Sequence, residues 1–205
     1  MSDTYTPAHR DAAWITIETP FSSAELRSFL DDIERLYRIN SMLVFEDWQQ
    51  SGADQYRIKA KNLSNGKLLD TGIAVKPVGD GITLHYDTGL RSSTSFHVDE
   101  NPGGGAKLVV TDDYSGTPQA EREARIDEVD KSLVHWGNCL YRYLRQWKRW
   151  SWIPGWQFYM RKIWQPMKPS GRRITFILLV ISLAEFVLFA VVFTIFTLEL
   201  DKYIN

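Results

Sequence analysis

Residues 119–150, QAEREARIDEVDKSLVHWGNCLYRYLRQWKRW, repeat apolar side chains at alternating spacings of three and four. This spacing places the apolar side chains on one face of an α-helix. Pro118 stands just before the segment, where proline favours a helix start. The sequence therefore predicts one long helix whose apolar face lies against another layer. That face is formed by Ile126, Val129, Leu133, Trp136, Leu140, Leu144 and Trp147.

Seven short segments, several of which alternate apolar and polar residues, predict β-strands in the layer under this helix. The sequences SNGK (64–67) and VGDG (78–81) are typical of hairpin turns between such segments. Together they indicate an antiparallel sheet with one covered face. The segments are WITIET (14–19), VFEDWQQ (44–50), QYRIKAKNL (55–63), GIAVKPV (72–78), ITLHYDT (82–88), SFHVDE (95–100) and KLVVTDDYS (107–115).

A second helical pattern, residues 24–43, lies between the first two of these segments. Ser22 and Ser23 precede it as candidate caps. We expect this helix to break in two near residues 38–40. Its apolar positions are Leu26, Phe29, Leu30, Ile33, Leu36 and Tyr37.

The order of strand, helix pair, antiparallel strands and long terminal helix over residues 12–150 resembles the START-like superfamily, also called SRPBCC or helix-grip proteins. The resemblance implies an α+β fold with the sheet wrapped on the long helix. Members include polyketide cyclases, lipid-transfer proteins, coenzyme-Q-binding proteins and membrane-associated accessory proteins of carbon monoxide dehydrogenase. The family typically holds an apolar small molecule between sheet and helix, so the resemblance implies a bound lipid or quinone.

The strand pattern by itself predicts which side chains would line such a cavity. Inward positions on the strands face the apolar stripe of the long helix. The alternative is that these side chains fill a solid core. The predicted cavity residues are Tyr56, Ile58, Ile73, Val75, Leu84, Tyr86, Phe96 and Val98, facing Val129, Leu133, Trp136 and Leu140.

A second apolar run, residues 174–200, predicts a transmembrane helix. As a helix it would be about 40 Å long, enough to cross a hydrocarbon core of about 30 Å. Basic residues precede it more than they follow it, so the N-terminal domain is expected in the cytoplasm, on a single-pass membrane protein. Glu185 lies mid-span, where a carboxylate is costly, and predicts contact with a membrane-protein partner. A protonated, lipid-facing glutamate is the alternative.

Residues 147–164, WKRWSWIPGWQFYMRKIW, hold five of the eight tryptophans and four basic residues without an acid. Tryptophan favours the headgroup level of a bilayer, and basic side chains favour anionic lipid. We therefore predict a membrane-interface segment bent at Pro154-Gly155, with packing on a protein surface as the alternative. Its interface residues are Trp147, Trp150, Trp152, Trp156, Arg161, Lys162, Trp164, Arg172 and Arg173.

Charge and motifs restrict the function further. Residues 1–141 carry 14 Lys and Arg against 22 Asp and Glu, which argues against nucleic acid as a partner. No HExxH, CxxC or catalytic-triad pattern accompanies the four histidines and the lone Cys139, so neither a catalytic residue nor a metal site is predicted. Asp112 and Asp113 are interpreted as solvated loop ends or as part of an acidic docking face.

These observations divide the chain into a flexible N-terminus (1–11), a START-like domain (12–146), a membrane-interface segment (147–173), a transmembrane helix (174–200) and a short tail (201–205). The leading hypothesis is a non-catalytic, membrane-anchored protein that binds a lipid or quinone-like ligand. The second is an accessory or scaffold subunit of a membrane complex without a ligand. The third is a polyketide cyclase-like enzyme.

Overall fold

The computed structural model describes residues 11–101, 104–124 and 126–204. The predicted flexible N-terminus lies outside this part of the chain, except for Asp11. Two compact units divide the chain, Met1–Pro166 and Met167–Asn205. The first unit therefore includes the tryptophan-rich residues 147–164 as well as the sheet and its helices.

Seven antiparallel strands form one sheet in the order β1-β7-β6-β5-β4-β3-β2. Each strand from β2 to β6 forms a hairpin with the next strand in the chain. Strand β1 pairs with β7 and forms one edge of the sheet. All seven predicted strands are present, which confirms the α+β class. The strands are β1 (Ala12–Thr19), β2 (Leu43–Gly52), β3 (Gln55–Asn62), β4 (Leu68–Val78), β5 (Gly81–Tyr86), β6 (Ser93–Glu100) and β7 (Ala106–Asp113).

Two short helices, α1 (Ser23–Leu30) and α2 (Ile33–Ile39), connect β1 to β2. The predicted break near residues 38–40 is wrong, because the chain breaks between Leu30 and Ile33. The Asp32 side chain accepts a hydrogen bond from the Arg35 backbone N–H at 3.0 Å and so starts a new helix. Residues 38–40 instead end α2.

The long amphipathic segment forms α3 (Gln119–Ala124) and α4 (Ile126–Arg149). The apolar stripe of α4 is buried from Leu133 onward, whereas the side chains of Ile126 and Val129 lie outside the described part of the structure. Gly137 lets α4 pass close to β1, since a Cβ there would lie 2.6 Å from Ile15 Cδ1. Trp136 fixes α4 to α2 by donating its Nε1–H to the carbonyl of Leu36 at 2.9 Å.

After α4 the chain bends at Gly155, whose φ of 79° suits glycine. A single turn, α5 (Trp156–Phe158), leads into a π-helix (Tyr159–Trp164). The second unit contains α6 (Pro169–Ile204). Within the described residues, α6 is the one helix long and apolar enough to cross a membrane, over Pro169–Leu200.

Gly81→Ala tests the close approach of β5 to β6. A Cβ at residue 81 would lie 1.8 Å from the carbonyl oxygen of Phe96, so the two strands would have to separate. We expect the free energy of unfolding to fall by about 2 kcal/mol or more, measured by chemical unfolding in mild detergent. Gly52→Ala is the control, because a Cβ at residue 52 would lie 3.6 Å from Gln55 Cβ, an ordinary van der Waals distance. Equal stability of the two variants would contradict this packing.

Candidate ligand cavity

A cavity of about 550 Å³ opens between the first half of α4 and one end of the sheet. Three connections surround it: the α2–β2 loop, the β3–β4 turn and the β5–β6 loop. Apolar lining comes from Leu43, Leu69, Leu90 and Trp136, and polar lining includes Arg91. The cavity is therefore amphipathic, with apolar and polar side chains together on its wall.

The strongest polar feature of this wall is a buried ion pair between Arg91 and Asp112. Arg91 Nη1 donates to both carboxylate oxygens of Asp112, at 3.2 and 3.1 Å, and the Asp112 side chain is fully buried. Burial by itself lowers the pKa of Arg91, but the Asp112 carboxylate and the surrounding tyrosines together raise it above its ordinary value. The two charges therefore stabilise each other beside the cavity.

A chain of hydroxyl groups ends on the same carboxylate. Tyr37 donates to the Tyr86 hydroxyl at 2.6 Å, Tyr86 donates to Thr94 at 2.9 Å, and Thr94 donates to Asp112. Tyr114 also donates to Asp112, at 3.3 Å. Burial is the largest cause of the raised pKa of each of these three tyrosines. Their hydroxyls therefore remain protonated donors at neutral pH.

Helix α4 contributes His135 to the cavity wall. Its Nε2 lies 2.9 Å from Ser41 Oγ and 3.4 Å from Cys139 Sγ, one helical turn away. Burial and the charge of Arg142 lower the pKa of His135, so the ring is neutral at neutral pH. Besides Arg91, the cavity thus presents an imidazole held by hydrogen bonds.

The structure brings only part of the predicted cavity set to this site. Tyr86 and Trp136 line it. Tyr56 and Val75 are half-buried and pack against the core, and the side chain of Val129 lies outside the described residues. The remaining seven are buried in the core and do not line the cavity, which agrees with the alternative that these side chains fill a solid core. They are Ile58, Ile73, Leu84, Phe96, Val98, Leu133 and Leu140.

The residues that give the cavity its polarity were missed. The interpretation of Asp112 as a solvated loop end is wrong, because its carboxylate has no exposed surface and holds Arg91. A signal was available, since Asp112 shares the inward parity of Leu108 and Val110 on β7. Arg91 lies in the β5–β6 loop, where no periodic pattern marks which side chains turn inward.

Three of the five segment tryptophans pack inward on the first unit. Trp147 belongs to the buried core, and Trp156 and Trp164 pack against it. The ring of Trp147 has the guanidinium carbons of Arg35 and Arg161 at 5.6 and 5.4 Å from its centroid. These three tryptophans pack on the protein, as the alternative to membrane contact predicts, and they attach the segment to the sheet and its helices.

The other side of the segment is exposed. Trp150 and Trp152 are 36% and 73% exposed, and Phe158 and Ile163 add apolar surface. The predicted interface cations Arg161, Lys162 and Arg173 are exposed too, and Arg172 is half-buried. In the second unit, Glu185 is exposed on α6.

Asp112→Asn tests the buried ion pair. The change keeps the side-chain shape but leaves the Arg91 charge without its counter-charge, so we expect the free energy of unfolding to fall by about 3 kcal/mol. Asp113→Asn is the matched control, because Asp113 is a half-buried neighbour that contacts Ser115. Thermal unfolding of both variants in mild detergent would show the difference, and equal transition temperatures would contradict the assignment.

Comparison with solved structures finds this architecture in proteins of low sequence identity. The Zhui aromatase/cyclase from Streptomyces sp. R1128 aligns with a TM-score of 0.52 and 12% identity, over 69% of this chain and 97% of that protein. A START superfamily protein from Mycobacterium smegmatis aligns with a TM-score of 0.49 and 18% identity, over 66% of this chain and 97% of that protein. Neither a protein-family model nor a curated protein sequence matches the chain.

At these identities the likeness concerns the fold. The predicted resemblance is confirmed at this level: the chain has the START-like, helix-grip fold, followed by a long apolar helix that is a candidate membrane span.

Proposed function

We propose that this protein is a membrane-anchored START-like carrier that binds one amphipathic small molecule of lipid or quinone type. The observation that carries the proposal is the cavity of about 550 Å³, whose lining combines apolar side chains with polar ones. Ligand pockets commonly measure about 300 to 1,000 Å³ and combine apolar walls with a few polar groups. This cavity has both properties.

Arg91 indicates where a ligand oxygen would bind. Arg91 uses Nη1 for Asp112, and its guanidinium carbon lies 5.2 Å from the Tyr86 ring centroid and 5.9 Å from that of Trp136. A guanidinium has five N–H donors, so Arg91 has donors besides those used on Asp112. A carbonyl or hydroxyl oxygen of the ligand would bind there, and the apolar part would lie against Leu43, Leu69 and Leu90.

Binding without catalysis is the simpler use of this site. Within the described residues, the cavity lining contains no Asp or Glu. The nearby Asp112 carboxylate accepts four hydrogen bonds from Arg91, Thr94 and Tyr114. A general base needs lone pairs available to the substrate. Asp112 is arranged to hold Arg91 and not to remove a proton.

The membrane part of the proposal rests on α6 and on the exposed side of residues 147–164. Trp152 and Phe158 expose 73% and 64% of their surfaces beside Lys162. An aromatic and basic surface of this kind suits the headgroup layer. With α6 across the bilayer and the basic flank inside, the START-like domain would lie on the cytoplasmic face.

An accessory-subunit role is the second candidate, favoured by Glu185. This carboxylate is exposed on α6, near the middle of the candidate span. A hydrogen bond from a partner's helix would satisfy it inside a bilayer. Partner binding through α6 and ligand binding in the first unit are compatible with each other.

Ser132→Trp tests ligand binding by filling the cavity. Ser132 lines the cavity, whereas Val134 on the same helix is 53% exposed. We expect native mass spectrometry of the full-length protein, extracted from its own membrane in mild detergent, to show one apolar ligand on the wild type and on Val134→Trp. The ligand should fall about tenfold on Ser132→Trp. A wild-type chain that carries no ligand while bound to other subunits would favour the accessory role.

The same spectrum separates a carrier from a cyclase-like enzyme. His135 is a neutral imidazole on the cavity wall, and it supports the enzymatic alternative suggested by the Zhui aromatase/cyclase. A carrier releases its ligand with unchanged mass. Recovery of a ligand and its dehydrated form from the wild type, but only the intact form from His135→Phe, would overturn the non-catalytic proposal.

Trp152→Ser and Trp164→Ser test the two sides of the tryptophan-rich segment. Trp152 is exposed, so its loss should change the free energy of unfolding by less than about 0.5 kcal/mol. Trp164 packs on Tyr143 at a centroid distance of 5.4 Å, so its loss should lower that free energy by about 2 kcal/mol.

Membrane contact is measured by quenching of tryptophan fluorescence with brominated phospholipids in vesicles that carry the full-length protein. We expect Trp152→Ser to remove more of the quenchable emission than Trp164→Ser. Equal losses would mean that the exposed side of the segment does not lie at the headgroups.

A further inference from the structure

A second depression, of about 470 Å³, lies on the surface of the first unit. Four parts of the chain meet there: the α1–α2 connection with the start of α2, strand β2, strand β3 and the π-helix. Among the described residues, its lining shares no member with that of the ligand cavity. The depression is therefore a separate site, which the carrier function does not use.

Two arginines bring positive charge to this depression, Arg35 from α2 and Arg161 from the π-helix. Arg35 is only 2% exposed, and its Nη2 donates to the carbonyl of Phe29 at 3.1 Å. Its Nε lies 3.5 Å from an oxygen of Asp32 but makes no hydrogen bond. Burial is the largest cause of the lowered pKa of Arg35, and the charge of Arg161 lowers it further. An anion bound here would use the vacant donor and stabilise both cations.

Carboxylates and aromatic rings complete the lining. Asp31, Asp32 and Glu34 supply the carboxylates, and the rings of Trp48 and Tyr56 lie 5.6 Å apart on neighbouring strands. Burial raises the pKa of Tyr56, and nearby carboxylates, among them Asp32 and Glu34, raise it further. Aromatic rings beside carboxylates are a common binding surface for ammonium groups.

The charges of the lining decide the class of ligand. Three carboxylates and two guanidinium groups suit neither a simple anion nor a simple cation. They suit a molecule that carries both charges a few bonds apart. The buried guanidinium with its vacant Nε then serves the negative end, and the aromatic pair serves the positive end.

We propose that this depression binds a phosphate–ammonium zwitterion, either as the headgroup of a phospholipid in the bilayer or as the same headgroup free in solution. Arg35 and Arg161 bind the phosphate, because guanidinium donors match phosphate oxygens. Trp48 and Tyr56 contact the ammonium group, next to the carboxylates. The inference goes beyond the proposed function and does not depend on it.

The test titrates glycerophosphocholine, a soluble form of this headgroup, into the full-length protein in maltoside detergent and follows binding by calorimetry. We expect it to bind at least about tenfold tighter than glycerol phosphate or choline, since each of these offers only one of the two charges. Arg161→Gln should weaken glycerophosphocholine binding about tenfold and leave choline binding unchanged. Tyr56→Leu should weaken choline binding about fivefold.

Two control variants should leave glycerophosphocholine binding unchanged. Arg145→Gln removes an exposed arginine of α4 that contacts Tyr141 and lies outside the depression. Ser132→Trp fills the ligand cavity and leaves the depression intact. Unfolding temperatures of all variants show that each is folded.

Reconstituted vesicles distinguish the two sources of the headgroup. Phosphatidylglycerol has no ammonium group, so glycerophosphocholine should bind to the protein in vesicles of this lipid. In phosphatidylcholine vesicles, loss of that binding would support the site and identify bilayer lipid as its ligand. Undiminished binding would support the site and identify the free headgroup.

The remaining outcomes overturn one proposal or the other. The inference fails if glycerophosphocholine does not bind, if it binds no tighter than glycerol phosphate, or if Arg161→Gln binds it as well as the wild type does. Loss of binding in Ser132→Trp would place the headgroup in the cavity and overturn the inference, while the carrier function stands. Binding that survives Ser132→Trp, on a protein that carries no apolar ligand, supports the depression and overturns the carrier function alone.

Discussion

The packing of α4 across the sheet is the interaction on which the rest of the structure depends. Its buried stripe, from Leu133 through Trp136 and Leu140 to Trp147, is the apolar layer that the concave face of the sheet requires. Gly137 brings the helix close to β1, and the indole of Trp136 fixes it to α2. The same helix therefore closes the core, forms one wall of the cavity and carries the residues on which the tryptophan-rich segment packs.

The core and the cavity share this helix but differ in what fills the space above the sheet. Near the middle of the sheet, large side chains such as Phe96 and Leu140 fill it completely. Toward the β3–β4 turn, the space ends on Arg91 and Asp112, a pair that needs close and well-directed hydrogen bonds to remain charged in a buried place. A solid core and a polar-walled cavity thus occur in the same layer.

The tryptophan-rich segment has a buried side and an exposed side. Its inward tryptophans fasten it to the first unit, with Trp147 lying between the cations of Arg35 and Arg161. Its outward face keeps Trp152 and Phe158 in solvent.

The sequence by itself determined the strands, the long helix and the apolar α6, and hence the α+β class, because each element follows from a local hydrophobic period. Tertiary structure decided where the core ends and the cavity begins. The ion pair joins residue 91 in a loop to residue 112 on a strand, and no local period relates them. Which tryptophans turn inward was likewise set by the surfaces available to them, since the segment lacks a regular repeat.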